Sequence, residues 1–166
     1  MSSPYSVYST DITYLFYGNG QRAYLSSVKD LATKEIVAHY LSKHIDMDLV
    51  FNTLAKTIDS TPIQCLESLM LHSDQGFHYT HPIFRKKLKD LKITQSMSRK
   101  GNCLDNAPIE SFFGHFKDEL NYSDCATFEE LEKQVNKYIY DYNNNRYQWN
   151  LKKMTPVQYR EHLLVA

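Results

Sequence analysis

The sequence of 166 residues lacks any apolar run close to the roughly 20 residues that a membrane-spanning helix requires. Its three cysteines are far apart and form no Cys-x-x-Cys pair, which argues against a disulfide framework and against a zinc site. Unpaired cysteines are typical of a protein kept reduced in a cytoplasm. The first residues, 1–5, have neither the charged nor the apolar segment of a signal peptide. These absences argue against the membrane-spanning and the disulfide-rich secreted classes.

The chain also lacks a net charge, since 19 basic residues balance 19 acidic ones. A protein that binds nucleic acid strongly over its whole surface usually has a basic excess. The charges are unevenly distributed, however, because residues 85–100 carry seven basic side chains and one acid. Residues 85–89 are expected to be the solvated face of a helix. Arg99 and Lys100 lie at the start of a polar loop instead, and we consider them candidate contacts to phosphate.

Glycine and proline are scarce, at five each, and the sequence has no repeat, low-complexity tract or linker. Hydrophobic residues make up 42% of the chain and aromatic residues 13%, as is usual for a folded domain. The length suits one domain with a core of its own. We therefore expect residues 1–166 to form a single domain.

Periodic patterns predict an α/β domain. The predicted elements are, in chain order, strands over residues 6–16, 22–28 and 35–41, a helix over 46–58, a strand ending at Asp74, a helix beginning near Pro82, a strand over 92–98, and helices beginning near Ala107, Thr127 and Pro156. A turn over residues 18–20 makes the first strands an antiparallel meander. The later strands are joined by a crossover helix, so a mixed sheet is expected.

Local patterns also predict details of single elements. Ile83 is expected in the apolar stripe of the helix near Pro82, either Asn106 or Asp105 is expected to cap the helix near Ala107, and Thr127 with Glu130 is expected to form a capping box. Gly76 is expected to allow a sharp turn after Asp74, and His78 is expected at the surface.

Three acidic residues stand where carboxylates could meet. Asp11 lies in the first predicted strand and Asp74 ends the fourth, while Glu110 lies in the first turn of a later helix, after 35 intervening residues (75–109). Each acid has an ordinary structural explanation, in a turn or beside the positive end of a helix dipole. Carboxylates brought close together repel each other, and so they tend to take up a proton or hold a cation.

The residues around these acids form three blocks. They read Ser-Thr-Asp-Ile-Thr-Tyr at 9–14, His-Ser-Asp-Gln-Gly-Phe-His-Tyr-Thr at 72–80 and Ser-Met-Ser-Arg-Lys-Gly-Asn-Cys-Leu-Asp-Asn-Ala-Pro-Ile-Glu-Ser-Phe-Phe at 96–113. In this order they resemble the catalytic core of DDE-type bacterial insertion-sequence transposases of the IS-three family, a core similar to that of retroviral integrases. The resemblance continues through residues 142–146 and 154–156 and so covers nearly the whole chain.

Two positions depart from the family's pattern. Tyr8 stands where a tryptophan is usual, and Gln75 follows the second acid where a basic or polar residue is common. Neither residue is an expected metal ligand, so the departures do not affect the acids.

The resemblance implies an RNase H-like α/β fold, with a mixed five-stranded sheet flanked by helices. It implies that Asp11, Asp74 and Glu110 are the catalytic acids and hold Mg²⁺ or Mn²⁺, with two ions expected. The implied activity is that of a metal-dependent polynucleotidyl transferase, which nicks DNA at the element's end and joins the freed 3′-hydroxyl to target DNA. Helical periodicity places Lys117 on nearly the same helix face as Glu110, so we expect it to contact DNA.

The implied partners are DNA, both element ends and target, and further copies of the chain assembled on that DNA. No membrane partner is expected, and the implied location is the bacterial cytoplasm, with the protein at the nucleoid when bound to DNA. The resembled enzymes carry an N-terminal helix-turn-helix region, and we expect this chain to be the catalytic core without it.

Two other functions are compatible with the same residues. A nuclease of the same fold would cut DNA without joining strands. An inactive module from a decayed element would associate with DNA and do no chemistry, although all three acids are intact.

Overall fold

The computed structural model describes residues 3–99 and 106–166. The strands are β1 (Val7–Tyr17), β2 (Gln21–Asp30), β3 (Ile36–Ser42), β4 (Met70–Ser73) and β5 (Thr94–Met97), and the helices are α1 (Met47–Asp59), α2 (Phe77–Thr80), α3 (Pro82–Asp90), α4 (Ala107–Glu119), α5 (Phe128–Asn144) and α6 (Pro156–Leu164). Short 3₁₀ turns occupy Ile63–Ser68, Tyr122–Asp124 and Trp149–Leu151. Apart from the short helix α2 and these turns, every element was predicted.

The five strands form one mixed sheet in the order β3-β2-β1-β4-β5. β1 pairs antiparallel with β2, and β2 with β3, as expected for the meander. β4 lies parallel to β1 on one side and to β5 on the other. The predicted five-stranded mixed sheet is therefore confirmed, and β1 lies at its centre.

Helices cover both faces of the sheet and bury a separate core on each. On one face α4 and α5 pack over Leu15, Leu25 and Leu41 of the strands. On the other face α1 and α3 pack over Tyr8, Val28 and Ala38. Successive side chains of a strand point to opposite faces, so Ser9 and Asp11 lie on the same face as Leu15, towards α4.

The two blocks near the end of the chain that extend the family resemblance form structural contacts. The side-chain amide of Asn143 accepts a hydrogen bond from the backbone N–H of Ile36 and donates one to its carbonyl, at 2.8 and 2.9 Å. These bonds satisfy backbone groups at the start of the edge strand β3. Thr155 and Gln158 form a reciprocal capping box at the start of α6.

Two local predictions were wrong, and a third was right only in position. Ile83 was expected in the apolar stripe of α3, but it is 53% exposed. Thr127 caps α5 as expected, yet Glu130 accepts a hydrogen bond from the N–H of Ala126 and so does not complete a capping box with Thr127. Asn106 occupies the cap position of α4 but makes no side-chain cap bond, and Asp105, the other expected cap, lies outside the described residues. For Glu130 and Asn106 a different hydrogen bond replaces the expected one.

Two further features concern the state of the cysteines and the possibility of a membrane-spanning helix. Cys65 and Cys125 are free thiols, and Cys103 lies outside the described residues. Within residues 3–99 and 106–166, no helix has both the length and the apolar character needed to cross a membrane.

Candidate active site

Asp11 and Asp74 meet because β1 and β4 are parallel neighbours. Ser9 pairs with His72 across the two strands, and each acid lies two residues further along its own chain. The two acids therefore lie beside each other, where β4 ends next to the middle of β1, and they line one cleft of about 170 Å³. The sequence predicted this meeting only through the family resemblance, because the parallel pairing is a tertiary feature.

Each of these carboxylates is oriented by a backbone N–H close to it. Oδ1 of Asp11 accepts from the N–H of Ile12 at 2.8 Å, and Oδ1 of Asp74 accepts from the N–H of Gly76 at 2.7 Å. Within the part of the chain that the structure describes, neither Oδ2 atom accepts a hydrogen bond. Each acid therefore retains an oxygen that could bind a cation.

Gly76 leaves space for the carboxylate of Asp74. A Cβ atom on Gly76 would lie 2.8 Å from Oδ1 of Asp74, closer than real Cβ contacts allow. The backbone of Gly76 itself has an ordinary extended conformation, with φ −61° and ψ 155°. We expected Gly76 to permit a sharp turn, whereas the structure shows that it makes room for the folded-back carboxylate.

Glu110 approaches from the helical layer. It lies in the first turn of α4 and is exposed, outside the cleft lined by Asp11 and Asp74. Its charge nevertheless reaches Asp11. Burial is the main cause that raises the pKa of Asp11 to about 6, and the negative charges of Asp74 and Glu110 raise it further. The three acids thus share one electrostatic environment.

This environment fits a divalent cation, although the acids do not form a closed cage. Among residues 3–99 and 106–166, no three His, Cys, Asp or Glu side chains are close enough together to hold one ion. Oxygen ligands that leave positions open are nonetheless the usual donors for Mg²⁺, which keeps several waters. The assignment of Asp11, Asp74 and Glu110 as catalytic and metal-binding residues stays a prediction.

The three expected DNA contacts have different surroundings. The ammonium of Lys117 lies 5.3 Å from the centre of the Tyr14 ring, and Tyr14 belongs to the wall of the acid cleft. Arg99 is exposed and follows Ser98, whose N–H donates to the carbonyl of Ser73 at 2.8 Å, so Arg99 lies close to the second acid. Lys100 lies outside the described residues.

Histidines near the cleft fall into two kinds. Both ring nitrogens of His72 are hydrogen-bonded, to the hydroxyls of Ser96 and Ser98 at 2.9 and 3.0 Å, so His72 joins β4 to β5 and the residues after it. His78 was expected at the surface, but it is half-buried and lines the cleft with Asp11 and Asp74. Its place in the second sequence block was the signal that could have indicated this position.

Comparisons with known proteins agree with the sequence blocks. Two models that are both described as integrase core domains match residues 2–103 and 110–164. The chain is 42% identical over 158 residues to the protein named as transposase InsK of insertion sequence element IS150 from Escherichia coli K12. That match covers 95% of this chain and 55% of InsK, so the chain spans about half the length of this relative.

A second relative and a solved structure extend the agreement. An uncharacterized transposase-like protein from Haemophilus influenzae is 39% identical over 164 residues, covering 96% of this chain and 72% of that protein. The HTLV-2 integrase catalytic core domain, solved in complex with magnesium, superposes with a TM-score of 0.76 at 17% identity, over 95% of this chain and 97% of the other. This likeness confirms the RNase H-like fold. The chain therefore belongs to the integrase core domain family, among the DDE-type insertion-sequence transposases that its sequence resembles.

Proposed function

We propose that the protein is a metal-dependent polynucleotidyl transferase of DNA transposition, which nicks DNA at the element's end and joins the freed 3′-hydroxyl to target DNA. The observation that carries the proposal is the pairing of β1 with β4, which brings Asp11 and Asp74 into one cleft. Membership in the integrase core domain family supports the same chemistry. Glu110 completes the proposed set from α4.

The proposed cofactor is Mg²⁺ or Mn²⁺, held as two ions by Asp11, Asp74 and Glu110. Burial and the neighbouring carboxylates keep the pKa of Asp11 near 6, and a divalent cation would relieve the same repulsion. When bound, such ions activate an attacking oxygen and stabilise a leaving oxygen at phosphorus. The hydrogen bonds to Oδ1 of Asp11 and Asp74 orient both carboxylates before any ion arrives.

DNA would lie across the cleft that Asp11 and Asp74 line. Arg99, Lys100 and Lys117 are proposed to contact its phosphates and to place the scissile phosphodiester over the acids. Contacts of this kind carry no sequence information. We therefore propose that the choice of DNA ends depends on a DNA-binding region that acts with this core, and that several copies assemble on the DNA.

The first displacement would use water as the nucleophile. The water oxygen forms a bond to phosphorus, the 3′-oxygen leaves with the electron pair and takes a proton, and a 3′-hydroxyl results. In the second displacement that hydroxyl attacks a target phosphodiester, and the target's own 3′-oxygen leaves. The number of phosphodiester bonds is unchanged in the second step, so no external energy source is needed.

A gel assay with Mn²⁺ and DNA that contains an element end tests the proposal. Joined products are expected, and they should be absent with Asp74→Asn. The matched control is Asp90→Asn, the same substitution at an exposed acid that ends α3. Shortened products alone would indicate a nuclease, and the absence of any product from the wild-type protein would indicate an inactive module.

A further inference from the structure

Two polar side chains of the sheet reach the beginning of α4, just ahead of Glu110. The hydroxyl of Ser9 donates to Oδ1 of Asn106 at 2.7 Å. The ammonium of Lys29 donates to the backbone carbonyl of Pro108 at 2.9 Å. Glu110 follows Pro108 by two positions, a rise of about 3 Å along a helix. Both bonds therefore tie the sheet to the part of α4 that lies within four residues of the third acid.

Ser9 and Lys29 act from one place on the sheet. They are cross-strand partners in the β1–β2 register, so their side chains stand side by side on the face that α4 covers. Asp11 lies two residues after Ser9 on the same face of the same strand, about 7 Å away. One strand thus carries both the first acid and a contact to the helix that carries the third.

All three side chains are buried. Ser9 is 1% exposed, Asn106 is 3% exposed and Lys29 is 4% exposed. Buried polar groups cost free energy unless they are hydrogen-bonded, and a buried ammonium costs more than a hydroxyl or an amide. No carboxylate pairs with Lys29 within residues 3–99 and 106–166, and its ammonium donates to an uncharged carbonyl. Burying the ammonium of Lys29 without a charged partner costs free energy, which suggests that Lys29 has a role beyond packing.

The position of Asn106 also indicates a role beyond packing. It precedes the first residue of α4, where an asparagine side chain usually accepts a hydrogen bond from an N–H of the first turn. Asn106 makes no such bond, and its Oδ1 is occupied by Ser9. The apolar face of α4, with Ile109 and Phe112 fully buried, holds the helix against the sheet. Apolar contacts are not directional, so the two hydrogen bonds to the start of α4 add a directional restraint on its sliding and rotation.

We infer that Ser9, Lys29 and Asn106 are positioning residues that fix the first turn of α4 and thereby hold Glu110 in register with Asp11. The inference rests on the proposed function, because it assigns Glu110 to the same site as Asp11. None of the three residues is placed among the catalytic groups. They act through the backbone of α4.

Amide hydrogen exchange of the metal-free protein is the first test. The amides of residues 111–114 donate to carbonyls of the first turn of α4, so they report its stability. We expect Ser9→Ala and Lys29→Met to speed their exchange by about tenfold or more and to leave α1 unchanged. Tyr8→Phe is the matched control, because it removes a buried hydroxyl bond, Tyr8 to Thr61, from the other face of the same strand. Exchange within twofold of the control in both variants would overturn the inference.

A mutant cycle on Mn²⁺ binding is the second test. Residues that orient metal ligands typically change metal affinity by 10–100-fold. We expect Lys29→Met and Ser9→Ala each to raise the half-saturating Mn²⁺ concentration by about tenfold. In a Glu110→Gln background, Lys29→Met should have no further effect, since its action passes through Glu110. Equal effects in both backgrounds would contradict the positioning role.

The two tests separate this inference from the proposed function. If the wild-type protein bound no Mn²⁺ and cut no DNA, the proposed function would fail, yet faster exchange in the Ser9 and Lys29 variants would still support the positioning of α4. If Mn²⁺ binding and cleavage were as proposed and exchange were unchanged, this inference alone would fail. Ser9→Ala, which removes one oxygen atom, keeps the test usable should Lys29→Met fold poorly.

Discussion

The sheet and the helical layer hold their acids in different ways. Asp11 and Asp74 belong to the sheet side of the site, and each receives a hydrogen bond from a backbone N–H one or two residues further on. Glu110 belongs to a helix, is exposed, and has no hydrogen bond within the described residues. The first two acids are oriented locally, whereas the position of the third depends on how α4 docks.

The sheet acids and the helix acid would therefore contribute differently to a metal site. Preoriented carboxylates reduce the cost of ordering ligands when a cation binds. An acid on a separate element can close the site only if that element is in place, so it makes the site sensitive to the packing of α4. The comparison predicts that substitutions at the sheet acids and at Glu110 will have distinguishable effects.

Asp74→Asn should have the largest effect. It removes a charge with little change in shape, and we expect nicking to fall by about 1,000-fold, since metal stabilisation of the transition state is worth several kcal/mol. Thermal unfolding with and without Mn²⁺ should show a large loss of the metal-dependent rise in Tm. Wild-type turnover in Asp74→Asn would show that the second acid is wrongly assigned.

Glu110→Gln should reduce nicking by a smaller factor, roughly a few hundred-fold, because two preoriented carboxylates remain. Part of the Mn²⁺-dependent rise in Tm should persist, in contrast to Asp74→Asn. Glu132→Gln, at an exposed position on α5, is the control. Complete loss of the rise in Tm would mean that the helix acid contributes as much to binding as the sheet acids, and the contrast drawn here would be wrong.

Asp11→Asn should stabilise the metal-free protein at neutral pH. The pKa of Asp11 is about 6, above its usual value of 3.8, mainly because of burial. The folded state therefore binds the proton more tightly than the unfolded chain, and stability is lost as the pH rises from about 4 to about 6. Asparagine removes this cost, which is at most about 3 kcal/mol.

Thermal unfolding in EDTA between pH 4 and pH 8 measures this effect. The gain in Tm from Asp11→Asn should be present at pH 8 and should disappear towards pH 4, where the wild-type carboxyl is protonated. A gain that did not change with pH would exclude the charge of Asp11 as its cause.

Lys117→Ala should have the smallest effect. One lost phosphate contact should weaken binding to all DNA sequences alike and reduce the slope of log affinity against log salt by about 0.9. Lys133→Ala, at an exposed position on α5, is the control for the loss of charge. An affinity and a salt slope equal to those of the control would show that Lys117 makes no contact with DNA phosphate.

Much of the fold could be predicted because the signals that specify it are local. Alternation along β1, the glycines at 18 and 20, and the threonine caps of α5 and α6 act within a few residues. One failure had a cause that is distant in the sequence: the side chain of Asn106 bonds to Ser9 instead of capping α4, which a local pattern cannot reveal. The three acids were identified by the resemblance, since each alone had an ordinary explanation.

By itself, the sequence determined the order and type of the elements, the apolar face of α4 and the candidate acids. Only the tertiary structure decided that β4 lies beside β1, that the carboxylate of Asp74 folds back over Gly76, and that Lys29 and Ser9 reach the start of α4. The contacts of Ser9 and Lys29 join residues 97 and 79 positions apart. Periodicity and capping act over one or two turns of chain, whereas such contacts exist only after the sheet and the helices have packed together.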